Sequence, residues 1–233
     1  MTPLLIANWK SHKNEAQALA WLEIFAAFWS KYQGQSQVVI APPASLLRSL
    51  DWFFREKIAS TLPGQLSLGV QDLSPFPSGA YTGALSIENI ANFQVKYAIV
   101  GHSERRRYFH ETHAEVANKV DQALAAGITP VVCVDVDYVE SQAAAIARDQ
   151  LEKCVVAYEP LEAIGSGVNQ PVIEVKPVVS AIKAAFGKVP ILYGGSVSSQ
   201  NVAEYTDVVD GFLVGSKSLD AQEWIEIIKK VGN

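Results

Sequence analysis

Side chains that could carry out acid–base chemistry follow two apolar, strand-like stretches of the sequence. Glu159 comes directly after the run CVVAY, and His102 comes directly after YAIVG. Burial at the end of a strand is expected to raise the pKa of the Glu159 carboxyl towards the range of a general base. An imidazole beside a helix start is expected to stay neutral, and can then donate a hydrogen bond to a carbonyl. Either residue alone is more simply explained as an ordinary loop or structural residue.

Two further residues could add a positive charge to this set, together with a carboxylate that pairs with it. Lys10 follows the short run LLIA, with Asn8 between them. A lysine at this point is most simply a surface residue, but at the mouth of a site it would be a fixed positive charge for an anionic substrate. Glu104, two residues after His102, is expected to pair with Lys10.

Three glycine–serine stretches suggest a binding site for phosphate. They are Gly165–Gly167, Gly194–Ser196 and Gly215–Ser216, and each alone is a weak signal that a tight turn would explain. The last two follow the seventh and eighth predicted strands, where loop amides often bind phosphate in barrel enzymes. We see no metal-ligand pattern and predict no cofactor, so the amides and Lys10 would neutralise the phosphate unaided.

The positions of these residues follow from the elements around them. Eight short apolar runs alternate with helical patterns, which predicts a (β/α)₈ barrel of one domain over residues 1–233. Active sites in such barrels lie at the carboxyl ends of the strands, where the residues above are placed. The predicted strands are Leu4–Ala7, Val38–Ala41, Leu66–Val70, Tyr97–Val100, Thr129–Val134, Cys154–Ala157, Pro190–Tyr193 and Gly211–Val214. The predicted helices include Asn14–Tyr32, Ala44–Lys57, Ser86–Ala91, Thr112–Ala125, Tyr138–Gln150, Ile173–Phe186, Ser198–Tyr205 and a last helix that Asp220 opens with a capping box.

Composition excludes several classes of function. The chain of 233 residues is 49% hydrophobic and 18% charged, and its formal net charge is −5. A mildly acidic chain without long basic runs is not suited to nucleic acid or to an anionic membrane surface. Cys133 and Cys154 lie in apolar runs and indicate a reducing compartment. The start of the chain does not resemble a signal peptide, so we expect a soluble, cytoplasmic protein.

The stretch His110-Glu111-Thr112-His113 carries two histidines close together. Their spacing does not match the two-histidine zinc motif on a helix. Thr112 is better used as a helix cap, so we predict a solvated helix start here and no metal site.

Taken together, the motifs resemble the triosephosphate isomerase family closely and in family order. The resemblance covers nearly the whole chain and implies interconversion of dihydroxyacetone phosphate and glyceraldehyde 3-phosphate, a reaction of glycolysis and gluconeogenesis. The motifs are NWK (Asn8–Lys10), SGAYTGALS (Ser78–Ser86), IVGHSERR (Ile99–Arg106), AYEP with AIGSG (Ala157–Gly167), YGGSV (Tyr193–Val197) and GFLVGS (Gly211–Ser216).

The resemblance also implies a role for each site residue. Glu159 matches the base, and His102 matches the neutral group that polarises the carbonyl. Asn8 and Lys10 match the pair that contacts substrate, and Glu104 matches the buried partner of the lysine. The resemblance assigns the phosphate contacts to Gly165, Ser196, Gly215 and Ser216. It also implies a lid over the substrate that begins with Pro160–Gly167.

Some positions depart from the common family pattern. Glu162 stands where a lid tryptophan is usual, and Asp135-Val136 replaces the Gly-Glu that normally meets it. Ser216 replaces a glycine. The resemblance implies a homodimer through the loop Gln71–Ser86, with Thr82 at its tip, although Ala84 replaces a glutamate there.

Two other functions remain possible from the sequence. Another phosphate-binding barrel isomerase or epimerase would explain the glycine–serine loops, but not Asn8, Lys10, His102 and Glu159 together. A catalytically silent barrel that binds other molecules would need at least one of those positions to be lost, and none is.

Overall fold

A computed structural model of the chain describes residues 2–58, 65–161 and 169–232. Within these ranges eight parallel strands form a closed barrel in sequence order, which confirms the predicted fold class. The predicted strands are all present, with ends shifted by at most two residues. They are β1 (Leu4–Asn8), β2 (Gln37–Ala41), β3 (Leu66–Val70), β4 (Val95–Val100), β5 (Thr129–Val134), β6 (Val155–Tyr158), β7 (Ile191–Tyr193) and β8 (Gly211–Val214).

Successive side chains along each strand point alternately into the barrel and out towards the helices, so the strands contribute to two buried layers. Side chains such as Ile6, Val131 and Leu213 form a cluster made only of strand residues, which fills the barrel interior. Their neighbours, such as Leu5 and Val132, pack outwards against the helices. Because both faces are covered, the strands read as continuous apolar runs instead of alternating ones. The polar residues that follow these runs are therefore held at one rim of a rigid barrel.

The helices surround the barrel, and the described residues contain nine of them. Side-chain caps begin α1 and α5 as the sequence predicts: Asn14 accepts the backbone N–H of Gln17, and Thr112 accepts that of Glu115. The helices are α1 (Glu15–Trp29), α2 (Leu47–Phe53), α3 (Ile87–Ile90), α4 (Ser103–Phe109), α5 (His113–Ala125), α6 (Val139–Ala145), α7 (Arg148–Leu151), α8 (Val172–Phe186) and α9 (Ala221–Gly232). A 3₁₀ turn, Ala44–Leu46, leads into α2, and a π-helical turn, Phe54–Ile58, follows it.

Three predicted helical features were wrong, and one helix, Ser103–Phe109, was not predicted. The predicted helix Tyr138–Gln150 is broken, because Ile146 is extended (φ −86°, ψ 140°) and is buried in the core. Ser198–Tyr205 forms only a 3₁₀ turn at its end. The Asp220 side chain accepts the backbone N–H of Glu223 as expected. The second half of the capping box is missing, because the Glu223 carboxylate accepts hydrogen bonds from Ser199 instead of the backbone N–H of Asp220.

The prediction of a solvated helix start at His110–His113 was also wrong for one residue. Glu111 is 8% exposed and pairs with Lys119 and with Arg105. Lys119 also contacts Asp72 at 2.6 Å and Arg105 contacts Asp72 at 2.8 Å. A buried carboxylate needs such partners, because an unpaired charge is costly to desolvate.

Closure of the barrel depends on Gly211, which pairs with Leu4 where β8 meets β1. A Cβ atom at Gly211 would lie 1.9 Å from the carbonyl oxygen of Leu4, so an alanine there must push the two strands apart. We expect Gly211→Ala to lower the free energy of unfolding by about 3 kcal/mol or more, measured by urea denaturation. Gly127 has φ +70° and open space around it, so Gly127→Ala should cost only about 1 kcal/mol. Equal losses in the two variants would show that the β1–β8 contact is not tight.

Candidate active site

The carboxyl ends of the strands surround a cavity of about 350 Å³. Pockets for small ligands span about 300–1,000 Å³, so a triose phosphate would fit. The cavity collects seven of the predicted site residues: Asn8, Lys10, His102, Glu159, Ser196, Gly215 and Ser216. Glu104 reaches the same region through Lys10. Gly165, Glu162 and most of the predicted lid lie outside the described residues.

Glu159 comes directly after β6, and its backbone N–H donates to the carbonyl of Val134 at 2.8 Å. This bond extends the pairing with β5 by one residue and holds the side chain on a rigid element. The carboxylate is buried, with Oε1 3.0 Å from Nε2 of His102 and Oε2 accepting the backbone N–H of Ser103 at 2.9 Å. Gly194 leaves room for it, since a Cβ there would lie 3.1 Å from Cγ of Glu159.

The expected direction of the Glu159 pKa was wrong. Burial raises the pKa of Glu159, as the sequence suggested. The contact with His102 and the Ser103 amide outweigh burial, so the pKa lies below the ordinary value for glutamate. The carboxylate is therefore ionised and able to accept a proton at neutral pH.

His102 caps α4 and is 6% exposed. Its Nδ1 accepts the backbone N–H of Glu104 at 3.2 Å, which places the proton of the neutral imidazole on Nε2, facing Glu159. Burial lowers the pKa of His102, but the carboxylate of Glu159 and then that of Glu104 outweigh burial, and the pKa is raised. The Nδ1 contact and the raised pKa oppose each other. The neutral form is favoured by the Nδ1 contact, because a second proton on Nδ1 would face the N–H of Glu104.

Lys10 is held by its neighbours in a backbone conformation that lysine rarely adopts, with φ 51°. Its N–H donates to Oδ1 of Asn8 at 3.0 Å, and Nε2 of Gln71 donates to the carbonyls of Lys10 at 2.9 Å and of Ala41 at 2.8 Å. A left-handed residue costs about 1–2 kcal/mol, which these contacts offset. The sequence placed Gln71 at a strand end but did not reveal this role.

The predicted pair between Lys10 and Glu104 is present, with Nζ 2.6 Å from Oε1. The expectation that Glu104 is buried was wrong, since 40% of its side chain is exposed. The ion pair fixes the ammonium at the cavity while its partner remains in contact with solvent.

The other end of the cavity consists of the loops after β7 and β8. The Asn201 amide donates to the carbonyl of Ser196 at 2.9 Å and accepts the N–H of Ser198, which fixes the first loop. Outside glycine, positive φ angles among the described residues occur only at Lys10, Lys13 and His110. Ser216 is not among them, so a serine at this position carries no left-handed backbone strain.

Some cavity residues were not found by sequence reasoning. Lys217 and Glu223 line the cavity, and the Ser103 amide bonds the carboxylate of Glu159. The helix Ser103–Phe109, had it been predicted, would have indicated a free amide at residue 103. Lys217 adjoins a glycine–serine stretch, which was a signal that we did not use.

Residues 2–58, 65–161 and 169–232 contain no group of three or more histidine, cysteine, aspartate or glutamate side chains suited to holding a metal ion. No helix in those ranges combines the length and the apolar character needed to cross a membrane.

Comparison with known proteins agrees with the geometry. A family model described as triosephosphate isomerase matches residues 3–231. The chain belongs to the triosephosphate isomerase family. The triosephosphate isomerase of Mycobacteroides abscessus is 35% identical over 252 residues, covering 97% of this chain and 95% of that protein. The triosephosphate isomerase of Nocardia farcinica is 34% identical over 250 residues, covering 95% and 94%. These findings support neither the epimerase nor the silent barrel as an alternative to an isomerase of this family.

Proposed function

We propose that Glu159, His102 and Lys10 carry out the reaction of this isomerase, the interconversion of dihydroxyacetone phosphate and glyceraldehyde 3-phosphate. Glu159 removes a proton from the carbon beside the carbonyl. The electron pair of that C–H bond forms a carbon–carbon double bond, and the carbonyl oxygen gains the negative charge of an enediolate. Protonated Glu159 then returns a proton to the neighbouring carbon, while the former carbonyl oxygen gains a proton and the former hydroxyl oxygen loses one, so the carbonyl and hydroxyl positions are exchanged.

One observation carries this proposal: a buried carboxylate, an imidazole N–H and an ammonium group line the same cavity. The carboxylate and the imidazole are in direct contact at 3.0 Å, so both groups reach the same part of the cavity and can act on neighbouring atoms of one substrate. An enediolate carries charge on oxygen, and the His102 N–H and the Lys10 ammonium are donors for that charge.

The protonation of His102 follows from the same contacts. When Glu159 turns to a substrate carbon, the carboxylate that raises the His102 pKa most moves away. Burial, the Glu104 N–H and the Lys10 charge remain and favour the neutral imidazole, and among the described residues only the Glu104 carboxylate still opposes them. A neutral imidazole can donate one proton to the substrate oxygen and take another back, which is needed to move hydrogen between the two oxygens.

The phosphate is bound by the loops after β7 and β8. In this proposal the backbone amides of Ser196, Gly215 and Ser216, and that of Gly165, donate to its oxygens, and Asn8 and Lys10 contact the rest of the substrate. Gly215 lies against Lys10, since a Cβ there would be 3.1 Å from Cε and 3.7 Å from Nζ of Lys10. The ammonium is thereby positioned between the phosphate loops and the reacting carbons.

The proposal is tested by adding glyceraldehyde 3-phosphate to the purified chain and measuring dihydroxyacetone phosphate. Rapid formation of the ketone is expected, with Glu159→Gln, purified in the same way, as a control for contaminating host enzyme. An epimerase would invert a centre without forming the ketone. Absence of ketone formation, or equal activity in the control, would contradict the proposal.

We also propose a homodimer through the loop Gln71–Ser86. In its favour, a second cavity of about 600 Å³ is lined by this loop and by the charged cluster around Lys119. Phe76 and Tyr81 stack on each other in the loop, with centroids 4.5 Å apart, and both are more than 40% exposed. Thr82 is also exposed. Exposed aromatic groups beside an open cavity favour docking of the same loop from a second copy.

Sedimentation velocity at micromolar concentration is expected to give a dimer of twice the 25.3 kDa chain mass. Thr82→Arg places a charge at the loop tip and should shift the equilibrium towards monomer. Thr206→Arg changes an exposed threonine that lies outside this loop and is the matched control. A wild-type chain that sediments only as a monomer would exclude the dimer.

The remaining expectations concern location and cofactors. A cytoplasmic location is supported by Cys133 and Cys154, which are both free and buried thiols. The proposed chemistry needs no cofactor or metal ion, because side chains supply the base, the proton donor and the positive charge. Substrates are small triose phosphates, and neither nucleic acid nor membrane is an expected partner.

A further inference from the structure

The charges around the cavity are poorly matched to a phosphate dianion. Its lining includes two lysines, Lys10 and Lys217, and two carboxylates, Glu159 and Glu223. Lys10 is already paired with Glu104 at 2.6 Å. A phosphate bound at Lys10 would therefore have to share the charge of the ammonium with Glu104. The loop amides carry only partial charges.

Lys217 is the cation at this cavity that is still available. Within the described ranges it makes no ion pair, and its side chain is exposed. Glu223, the other carboxylate besides Glu159 that lines the cavity, accepts the N–H and the hydroxyl of Ser199 on its two oxygens, at 2.8 Å and 3.0 Å. A lysine stem is long and flexible enough to bring its ammonium to a ligand at the edge of the cavity.

The backbone places Lys217 beside the proposed phosphate loop. Gly215 and Ser216 precede it directly, and Lys217 lies in the 3₁₀ turn Ser216–Leu219. The turn is fixed to Gly215, because the N–H and the hydroxyl of Ser218 both bond the Gly215 carbonyl, at 2.9 Å and 2.7 Å. Lys10 also lies against Gly215, since a Cβ atom there would be 3.7 Å from its Nζ. One lysine therefore contacts this short segment through space, and the other follows it in the chain.

We propose that Lys217 is a second cation that recognises the substrate phosphate and selects substrates carrying a dianionic phosphate group. This inference rests on the proposed function. It assigns Lys217 to binding and not to the proton transfer, because Lys217 directly follows Gly215 and Ser216 of the proposed phosphate loop, whereas the proton-transfer pair is formed by His102 and Glu159.

The test compares wild type with Lys217→Gln, using glyceraldehyde 3-phosphate as substrate and inorganic phosphate as inhibitor. We expect KM and the inhibition constant of phosphate to rise about three- to tenfold, the effect of removing one partly exposed charge from a dianion. The kcat should stay within about threefold. The rise should shrink towards one at about 1 M KCl, where charges are screened beyond about 3 Å. Lys217→Arg should restore most of the binding.

Two controls separate the possible failures. Lys230→Gln removes an exposed lysine of α9 that does not line the cavity, and it should leave KM unchanged. If wild type does not isomerise the substrate, the proposed function itself fails. If wild type is active and Lys217→Gln binds phosphate as wild type does, only the role of Lys217 is overturned. A rise in KM that salt does not reduce and arginine does not rescue would also overturn it, since it would indicate a loop defect.

Discussion

Shortening the proposed base by one methylene is expected to lower kcat by about 10²-fold. Glu159→Asp keeps the carboxylate but withdraws it from the end of β6, and a misplacement of about 1 Å can cost about that factor. The loss should fall on kcat, because proton transfer is an interaction of the transition state, whereas the phosphate contacts lie elsewhere. The KM should stay within a few-fold, as measured by steady-state kinetics with glyceraldehyde 3-phosphate.

Two other glutamates serve as controls for Glu159→Asp. Glu140→Asp changes an exposed carboxylate of α6 and should have no effect on turnover. Glu104→Asp changes the partner of Lys10 and should act through the position of the ammonium, with a smaller effect on kcat. A near-normal kcat in Glu159→Asp, or a larger loss in Glu104→Asp, would mean that the base is assigned to the wrong carboxylate.

Replacing the imidazole should cost about 10²–10⁴-fold in kcat, the range for a group that transfers protons in the transition state. His102→Gln keeps an N–H donor of similar reach, so the carbonyl can still be hydrogen-bonded. The amide cannot pass a proton between the two substrate oxygens, and this part of the reaction should be lost. His102→Gln also removes a partner that lowers the Glu159 pKa. That pKa should therefore rise, and the acid limb of the kcat/KM profile should move to higher pH.

His12→Gln is the matched control, because His12 is exposed and does not line the cavity. It should turn over as wild type does. If His102→Gln lost less than about tenfold in kcat, hydrogen bonding to the carbonyl would be sufficient, and proton transfer by His102 would not be needed.

The fold could be predicted from sequence because its signal is local. Each strand of a barrel covered on both faces is a short apolar run, and each run was visible by itself. The ends of parallel strands meet at one rim, so polar residues after different runs come together wherever the barrel closes. Asn8, Lys10, His102 and Glu159 were found for this reason, although they are spread over most of the chain.

What the sequence did not reveal depends on contacts between distant residues. The pKa of Glu159 is lowered by His102, a neighbour that strand pattern and burial do not indicate. The role of Gln71 depends on two carbonyl groups, of Lys10 and of Ala41, that converge only in the folded barrel. At Ile146 the backbone becomes extended and the side chain is buried in the core, and helix propensity does not indicate this break.

The exchange of solvent deuterium during turnover tests the central claim most directly. If Glu159 removes the carbon-bound proton, that proton can exchange with solvent before it is returned. Conversion of glyceraldehyde 3-phosphate in D₂O should then give dihydroxyacetone phosphate in which part of the molecules carry deuterium at the former aldehyde carbon, as measured by NMR. Glu159→Gln should give almost no labelled product in the same time. Ketone that forms without deuterium at that carbon, and at the wild-type rate in Glu159→Gln, would show that Glu159 does not remove the proton and would contradict its assignment as the base.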